Sequence, residues 1–458
     1  MIEISLAADE LQETYDVAVV GGGPAGIGAA CAAADAGARV VLIEAGGYLG
    51  GNLTASLVNP MFIFHNNRGE QIVRGVAEEI VQELVRMGGS PGHVPDICGD
   101  NPTMTPFDPE DMKVVLLEAV QKRPIVVRFY SFFIDTIKTE GDISGIIIAN
   151  KSGIQVVRAR VFVDCTGDLD VAAKAGARFV QGRQRDKRTQ PMTMMFRIGN
   201  VDTKAVREYM VRNRDMLQIA VDDDEIRTCP AVTVLGLEPL IEKSTKTGKF
   251  IPDRERVLLY ELPRTGQFMA NVTRITHANG IDVSSLSEAT ISGMFQARVV
   301  LDFLRDHVDG FQSAVLLETA ARVGVRETRR LCGDYVLTEE DIRSDRLFED
   351  GVAKGTFAFD IHQPDGRSQI FTGSGKNTYE IPYRSLFTRS INNLLVAGRN
   401  ISATHEALSS TRVMATCMAI GQGAGVGAAL AARDCIPVFE VSPDELRKEL
   451  LRQDVVVG

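Results

Sequence analysis

A doubly wound α/β fold is what the first 44 residues predict, and three observations carry that prediction. Residues 15–20, Tyr-Asp-Val-Ala-Val-Val, are short, apolar and β-branched, the pattern of a buried parallel strand. Gly21-Gly22-Gly23-Pro24-Ala25-Gly26 follows at once and opens a small, Ala-rich segment, Ile27 to Gly37, suited to a helix packed close on a sheet. Ala38-Arg39-Val40-Val41-Leu42-Ile43-Glu44 is a second apolar strand ending in an acid.

Each residue of this unit has a physical job. Gly21 allows the tight turn out of the strand. Gly23, without a Cβ, lets a pyrophosphate approach the backbone, and Gly26 lets the helix sit against the strand. Pro24 and Ala25 lie at the helix start, where free amides and the positive end of the dipole favour an anion. Glu44, at the end of the second strand, is placed to accept from ribose hydroxyls. Strand, glycine turn, helix and terminal acid together predict an adenine dinucleotide, without choosing between FAD and NAD.

At 458 residues the chain exceeds one core, so two or three domains are expected. Its 45 % hydrophobic and 24 % charged content is that of a globular protein. A net charge of −10 argues against nucleic acid and anionic membrane as partners. No uncharged apolar stretch reads as long enough to cross a bilayer, so no membrane span is expected. The N-terminus, Met1 to Glu10, lacks the basic flank and apolar core of a signal peptide, which points to the cytoplasm. The seven cysteines contain no CxxC and read mostly as small buried apolar residues. Metal-ligand spacing is absent, so no metal is expected.

Further along, the Gly-rich loop 45–54 offers close backbone approach at Gly51 and side-chain hydrogen bonds from Asn52 and Thr54. Helices are expected over Gln71–Met87 and Pro109–Gln121, separated by a long Gly/Pro/Asp-rich loop at 88–109 of the kind that serves as a lid. Strands are expected from Ile125 to Asn150, turning at Gly141-Asp142, and over Ile154–Val163. This last strand runs into Thr166-Gly167-Asp168, a backbone able to approach phosphate or ribitol beside an acid. The basic run 181–190 marks a boundary. Between 200 and 350, helices are expected at Val201–Met216, Ser284–Arg305 and Ala314–Arg330, and a strand at Arg256–Leu262. Asn393 to Arg399 is a last strand ending in Gly398, followed by a polar loop, Ile401–Glu406. Thr411–Arg433 is a helix dense in glycine, which costs about 1 kcal/mol per residue against Ala and so requires close packing as its reason.

Together, Gly21–Gly26 with Glu44, the Gly50–Thr54 loop, Thr166–Asp168, Val325–Arg330, Tyr383-Arg384-Ser385, Val396–Glu406 and Gly421–Gly425 resemble the FAD-dependent oxidoreductases, and more distantly the flavoprotein subunits of fumarate reductase and succinate dehydrogenase. The resemblance covers most of the chain and is loosest from 200 to 350. It implies a doubly wound, Rossmann-like FAD-binding domain with an inserted α+β substrate domain. The expected division is 1–180 (with a loop-rich insertion at 57–109) and 376–458 for the FAD domain, and 181–375 for the substrate or cap domain. It implies that Gly21, Gly23 and Gly26 cradle the pyrophosphate, Glu44 holds the adenosine ribose, and Asn52 and Thr54 sit near the ribityl–flavin junction. Asp168 would lie near the dinucleotide, Gly398 and Arg399 would close over it, and Gly421, Gly423 and Ala424 would bring amides to the flavin's pyrimidine edge. Covalent attachment in some relatives uses a loop histidine. His65 is near that region but matches no motif, so non-covalent FAD is expected.

Flavin carries the redox chemistry, so the protein must position a substrate and move a proton. His405 beside Glu406 is the first candidate for the proton, with His362 second and His277 weaker. Arg384 and Arg412 are candidates for binding a carboxylate. Ser409-Ser410-Thr411 reads as a helix N-cap. The expected function is hydride transfer between flavin N5 and a small organic substrate, with the basic residues leaning toward an anionic one. The alternatives are a flavin monooxygenase and an FAD-binding subunit of an electron-transfer complex. No second strand–GxGxxG–helix unit for NAD(P) is found, which leaves the electron donor or acceptor open. The small-residue helices are compatible with a homo-oligomer.

Overall fold

A computed structural model describes residues 9–250, 252–366, 369–372 and 378–458. The first eight residues, on which most of the signal-peptide reading rests, lie outside the described set. The main sheet runs Ile125–Arg128, Val40–Ile43, Asp9–Val20, Gly153–Asp164, with Leu394–Val396 pairing the far side of the last. All these pairings are parallel, as expected of strands fed by crossovers and buried on both faces. The N-terminal half of Gly153–Asp164 turns to different partners. It pairs antiparallel with Asp142–Asn150, which pairs with Phe132–Thr139. Strands from opposite ends of the chain, Asp9–Val20 and Leu394–Val396, therefore flank Gly153–Asp164 in one sheet, and the fold is a doubly wound α/β sheet built from both termini.

Behind the sheet, helix Pro24–Asp35 packs on the long helix Met414–Asp434. Glycine makes this possible. A Cβ at Gly421 would lie 2.0 Å from the Ala25 carbonyl oxygen, one at Gly425 2.2 Å from that of Ala29, and one at Gly28 2.2 Å from that of Met418. The long helix is apolar and uncharged over enough length to cross a membrane, which corrects the expectation that no such stretch exists. It is wholly buried within the fold, so its apolarity is that of a core helix.

A second, five-stranded antiparallel sheet has the order Thr233–Gly236, Val257–Glu261, Phe268–Ala270, Phe196–Gly199, Val315–Thr319. Helix Val283–His307 buries Ala297, Val300, Leu301 and Leu304 in the same core as Phe196 and Phe268. The helix expected over Ala314–Arg330 is instead the edge strand Val315–Thr319 and the short strand Arg329–Leu331. Pairing with Phe196–Gly199 overrides a weak helical pattern there. Residues 337–361 bury Leu337, Ile342, Val352 and Phe359 in the core of the first sheet, although they precede position 376.

Two smaller expectations also change. The polar loop after Gly398 ends in a short helix, His405–Thr411, capped by the Thr404 side chain on the Ala407 amide. Ser409, Ser410 and Thr411 therefore close that helix rather than cap the next, whose N-cap is Val413. Ser410 Oγ donates to the Phe357 carbonyl and pairs with the Tyr379 hydroxyl at 2.7 Å.

Candidate active site

The C-terminal ends of the parallel strands open into a cleft of about 490 Å³. Its walls include Gly21, Gly23, Pro24, Ala25, Glu44, Gly51, Asn52, Thr166, Gly167, Asp168, Gly398 and Arg399. The three motif glycines differ in what they do. Gly21 has φ +102°, and a Cβ there would sit 2.4 Å from the Cys165 carbonyl oxygen. A Cβ on Gly26 would lie 1.7 Å from the Gly21 carbonyl oxygen. At Gly23 a Cβ would meet only the Gly51 Cα, at 4.0 Å, so it would project into the open cleft. That is the cradle a pyrophosphate requires, at the N-terminus of a twelve-residue helix whose first turn has no acid. Glu44 is 5 % exposed, accepts from the Gly22 amide at 2.8 Å and the Gly46 amide at 2.5 Å, and sits on the cleft wall. The residues present fit an adenine dinucleotide.

Arg399 bridges the cleft's far side. It donates to the Gly167 carbonyl, to Thr328 Oγ1 at 2.9 Å and to Asp168 Oδ1 at 2.8 Å. Asp164, buried below the floor, caps the turn by accepting from the Thr166 amide and hydroxyl and from the Ala172 amide. Burial pushes the Asp170 carboxyl up to about 6, with Asp164 and Asp168 adding repulsion.

A second cavity of about 430 Å³ lies against the first. Asn52, Val325, Arg399, Arg412 and Met414 belong to both walls. One side of this cavity is aromatic. Phe62 meets Tyr260 edge-on at 6.0 Å and stacks with Phe357 at 6.2 Å, and Phe357 meets Phe371 at 5.9 Å. The loop 88–109 supplies Asp96, Cys98, Asp100 and Asn101 to the wall. The lining is also cationic, with Arg254, Arg274, Arg326 and Arg412 set around Asp360 and His362.

Within that group, Arg412 donates to Asp360 Oδ2 at 3.1 Å. Arg274 donates to His362 Nδ1 at 3.2 Å and to the carbonyls of Gln363 and Gly366. A guanidinium only donates, so Nδ1 is the acceptor and the ring proton sits on Nε2, 3.2 Å from Asp360 Oδ1. Burial and the Arg326 charge hold the imidazole well below its usual range. Burial by itself would raise Asp360, but His362, Arg412 and Arg326 outweigh it and hold the carboxyl well below the usual carboxylate range. His362 is thus a neutral ring with both nitrogens engaged, better fitted to hold Arg274 and Asp360 in place than to collect a proton.

His362 titration has a definite sign. The unfolded chain protonates this residue below about 6.5, whereas the folded protein keeps it neutral. The unfolded state then binds more protons, so stability falls as pH drops below about 6.5. Melting temperatures measured from pH 8 to 5 should decline on the acid side. The decline should be shallower in His362→Gln; an identical profile in that variant contradicts the assignment.

The structure brings His362 and Arg412 to the cavity but not the other two catalytic candidates. His405 is 5 % exposed and lines neither cavity. Its Nδ1 lies 2.9 Å from Glu327 Oε1, and Glu327 is also paired with Arg330. This buried triad ties the loop after the last strand to residues 327–330. Arg384 is half exposed and grips Asp350 at 2.9 and 3.1 Å, away from both cavities. Among the proposed cofactor residues, Thr54 turns to the Leu49 carbonyl and lines neither cavity. Gly421, Gly423 and Ala424 lie in mid-helix and line neither cavity. Gly421 packs on Ala25 and Gly423 on Val352. The helix begins at Met414, three residues after the expected Thr411 and seven before Gly421, so Met414 and Cys417 of its first turn reach the cleft instead. His65 lies 3.3 Å from Thr103 Oγ1 and 5.0 Å ring to ring from His93, in neither wall. His277 also lines neither cavity. Sequence reading missed Arg254, Arg274, Arg326 and Asp360. Arg326 carried a signal in the run Val325–Arg330, and Asp360 and Arg274 stood beside the histidine candidates His362 and His277; only Arg254 carried none.

A dinucleotide cleft with an adjoining chamber is the arrangement of an enzyme that holds an adenine dinucleotide beside a second ligand. The chain belongs to the FAD-dependent oxidoreductase family, whose pattern it matches over residues 16–450. Its cofactor is FAD. No curated protein matches it. Solved structures similar to it include a geranylgeranyl bacteriochlorophyll reductase-like protein from Thermoplasma acidophilum, at 16 % identity and TM-score 0.47 over 97 % of this chain and 84 % of that one. Another is p-nitrophenol 4-monooxygenase from Pseudomonas putida, at 13 % and 0.48 over 96 % and 84 %. A third is a myxobacterial chondrochloren halogenase, at 14 % and 0.47 over 96 % and 79 %.

Proposed function

We propose that the protein transfers a hydride between non-covalently held FAD and a small organic molecule bound in the 430 Å³ cavity. The observation that carries this reading is the wall of five residues common to the cofactor cleft and that cavity. A molecule in the second chamber is then in reach of one in the first. Bound FAD supplies the two-electron chemistry. The chain's own residues do the rest. The aromatic side excludes water, and Arg399 locks Gly167 and Asp168 beneath the junction. Asp360 and His362 hold the arginines in register.

The test begins with colour. The purified protein should show flavin absorption, and acid precipitation should release FAD to the supernatant; colour retained in the pellet means a covalent link. Small acids, alcohols and amines are then screened anaerobically for bleaching of the flavin band, and for reoxidation of the dithionite-reduced protein. One chemical class should do either. If none does and only a protein carrier exchanges electrons, the reading is wrong and the chain is an electron-transfer subunit.

A further inference from the structure

Among the described residues, six arginines line the second cavity against four carboxylates, Asp96, Asp100, Glu255 and Asp360, and the excess of cations is local. Arg412 is matched by Asp360, and Arg399 by Asp168. Arg326 is different: its Nη1 donates to the Pro191 carbonyl at 2.7 Å and to Thr193 Oγ1 at 2.8 Å, both neutral. No carboxylate pairs with it among the described residues. Arg254 is more isolated still. It is 3 % exposed and lines the cavity, yet its Nε and Nη1 have no partner among the described residues. Burial, with Arg274 nearby, pulls the Arg254 guanidinium down to about 10, which still leaves it charged at neutral pH. The Asp360 charge reaches both but that carboxylate is bonded to Arg412 and His362, and a buried guanidinium with no carboxylate bonded to it is costly, because removing a charge from water is repaid only by a paired and hydrogen-bonded opposite charge. Two such groups on one wall are the signature of a site whose missing anion arrives with the ligand.

The same cavity also has an apolar surface with planar faces. The Phe62, Tyr260 and Phe357 rings line the same cavity. A small inorganic anion would satisfy the arginines and leave this side uncovered. A long aliphatic chain would not use the flat ring faces.

We propose that the substrate is an organic acid with a planar, aromatic or conjugated body, its carboxylate bound by Arg254 and Arg326 and its body against Phe62, Tyr260 and Phe357. This rests on the 430 Å³ cavity being the substrate chamber. Arg254 is the carboxylate anchor, and the planar fork of its guanidinium suits a two-oxygen acceptor.

The test uses the FAD-loaded protein and four probes: benzoate, trans-cinnamate, benzamide and cinnamamide. Binding is read from perturbation of the flavin absorption band and from the rise in melting temperature. Both acids should bind at least tenfold tighter than their amides, a charge-assisted pair being worth that much. Arg254→Met, and separately Arg326→Met, should weaken the acids by roughly tenfold or more while leaving FAD content and amide binding unchanged. Arg254→Lys should fall between. Acids and amides binding alike, or acid affinity unaltered in an FAD-replete Arg254→Met protein, overturns the proposal. If Arg254→Met does not fold, the acid–amide ratio in the unaltered protein and in Arg326→Met decides. Failure of the functional reading looks different: the acids bind selectively, yet no small molecule bleaches or reoxidises the flavin.

Discussion

Gly23→Ala should abolish FAD loading while leaving the fold intact. The added methyl meets only the Gly51 Cα, at 4.0 Å, and the backbone there has φ −76°, which alanine adopts without strain. Stability of the FAD-free protein should therefore change by less than about 1 kcal/mol, the scale of an N-cap exchange. The methyl instead occupies the space through which a pyrophosphate reaches the helix amides. Losing one or two charge-assisted hydrogen bonds predicts an affinity loss on the order of a hundredfold or more. The measurement is FAD titration of stripped protein by fluorescence, beside a melting curve without cofactor. Gly26→Ala provides the contrast, since its methyl would fall 1.7 Å from the Gly21 carbonyl oxygen. That variant should fail to fold, where Gly23→Ala folds but stays colourless. Normal FAD affinity in Gly23→Ala would remove the cleft from consideration as the dinucleotide site.

Gly421→Ala should be the most damaging single-methyl change on the long helix. In an isolated helix it would be worth about 1 kcal/mol in favour of alanine. Here the methyl would lie 2.0 Å from the Ala25 carbonyl oxygen, a backbone atom of the neighbouring helix that cannot rotate away. Separating the two helices costs about 3 kcal/mol, which outweighs the propensity gain. It also shifts Pro24 and Ala25, so the loss should be larger with FAD bound than without. A melting temperature lower by several degrees, with weakened FAD retention, is the expected result. A stabilised variant would mean that the glycines serve something other than helix contact.

Both outcomes turn on a distinction that the residues alone do not make. The resemblance reads Gly21–Gly26 and Gly421–Gly425, among other glycines, as cofactor contacts. Gly21–Gly26 is one, because it stands between a strand and a helix start, where free amides point outward. Gly421–Gly425 is not, because in mid-helix every amide is already bonded within the helix and only the missing side chains matter. The same holds for the histidines. His405 and His362 each sit near an acid in the sequence, Glu406 and Asp360. The fold turns one to Glu327 in the core and leaves the other in the cavity wall.

The features legible in the chain alone are local ones. The strand–glycine–helix–strand–acid unit, the helix Pro109–Gln121 and the apolar strands are readable because hydrophobic period and turn chemistry act between neighbours in the chain. The dinucleotide cleft followed from them. The second cavity did not. Asn52, Asp96, Arg254, Arg326, Phe357 and Arg412 come from segments scattered along most of the chain, and no period or spacing links them. Their meeting is decided by which strands pair and which helices touch. Only that tertiary arrangement brings Arg254 and Arg326 to one cavity with no carboxylate bonded to either among the described residues, and it is this excess of cations that an anion would answer.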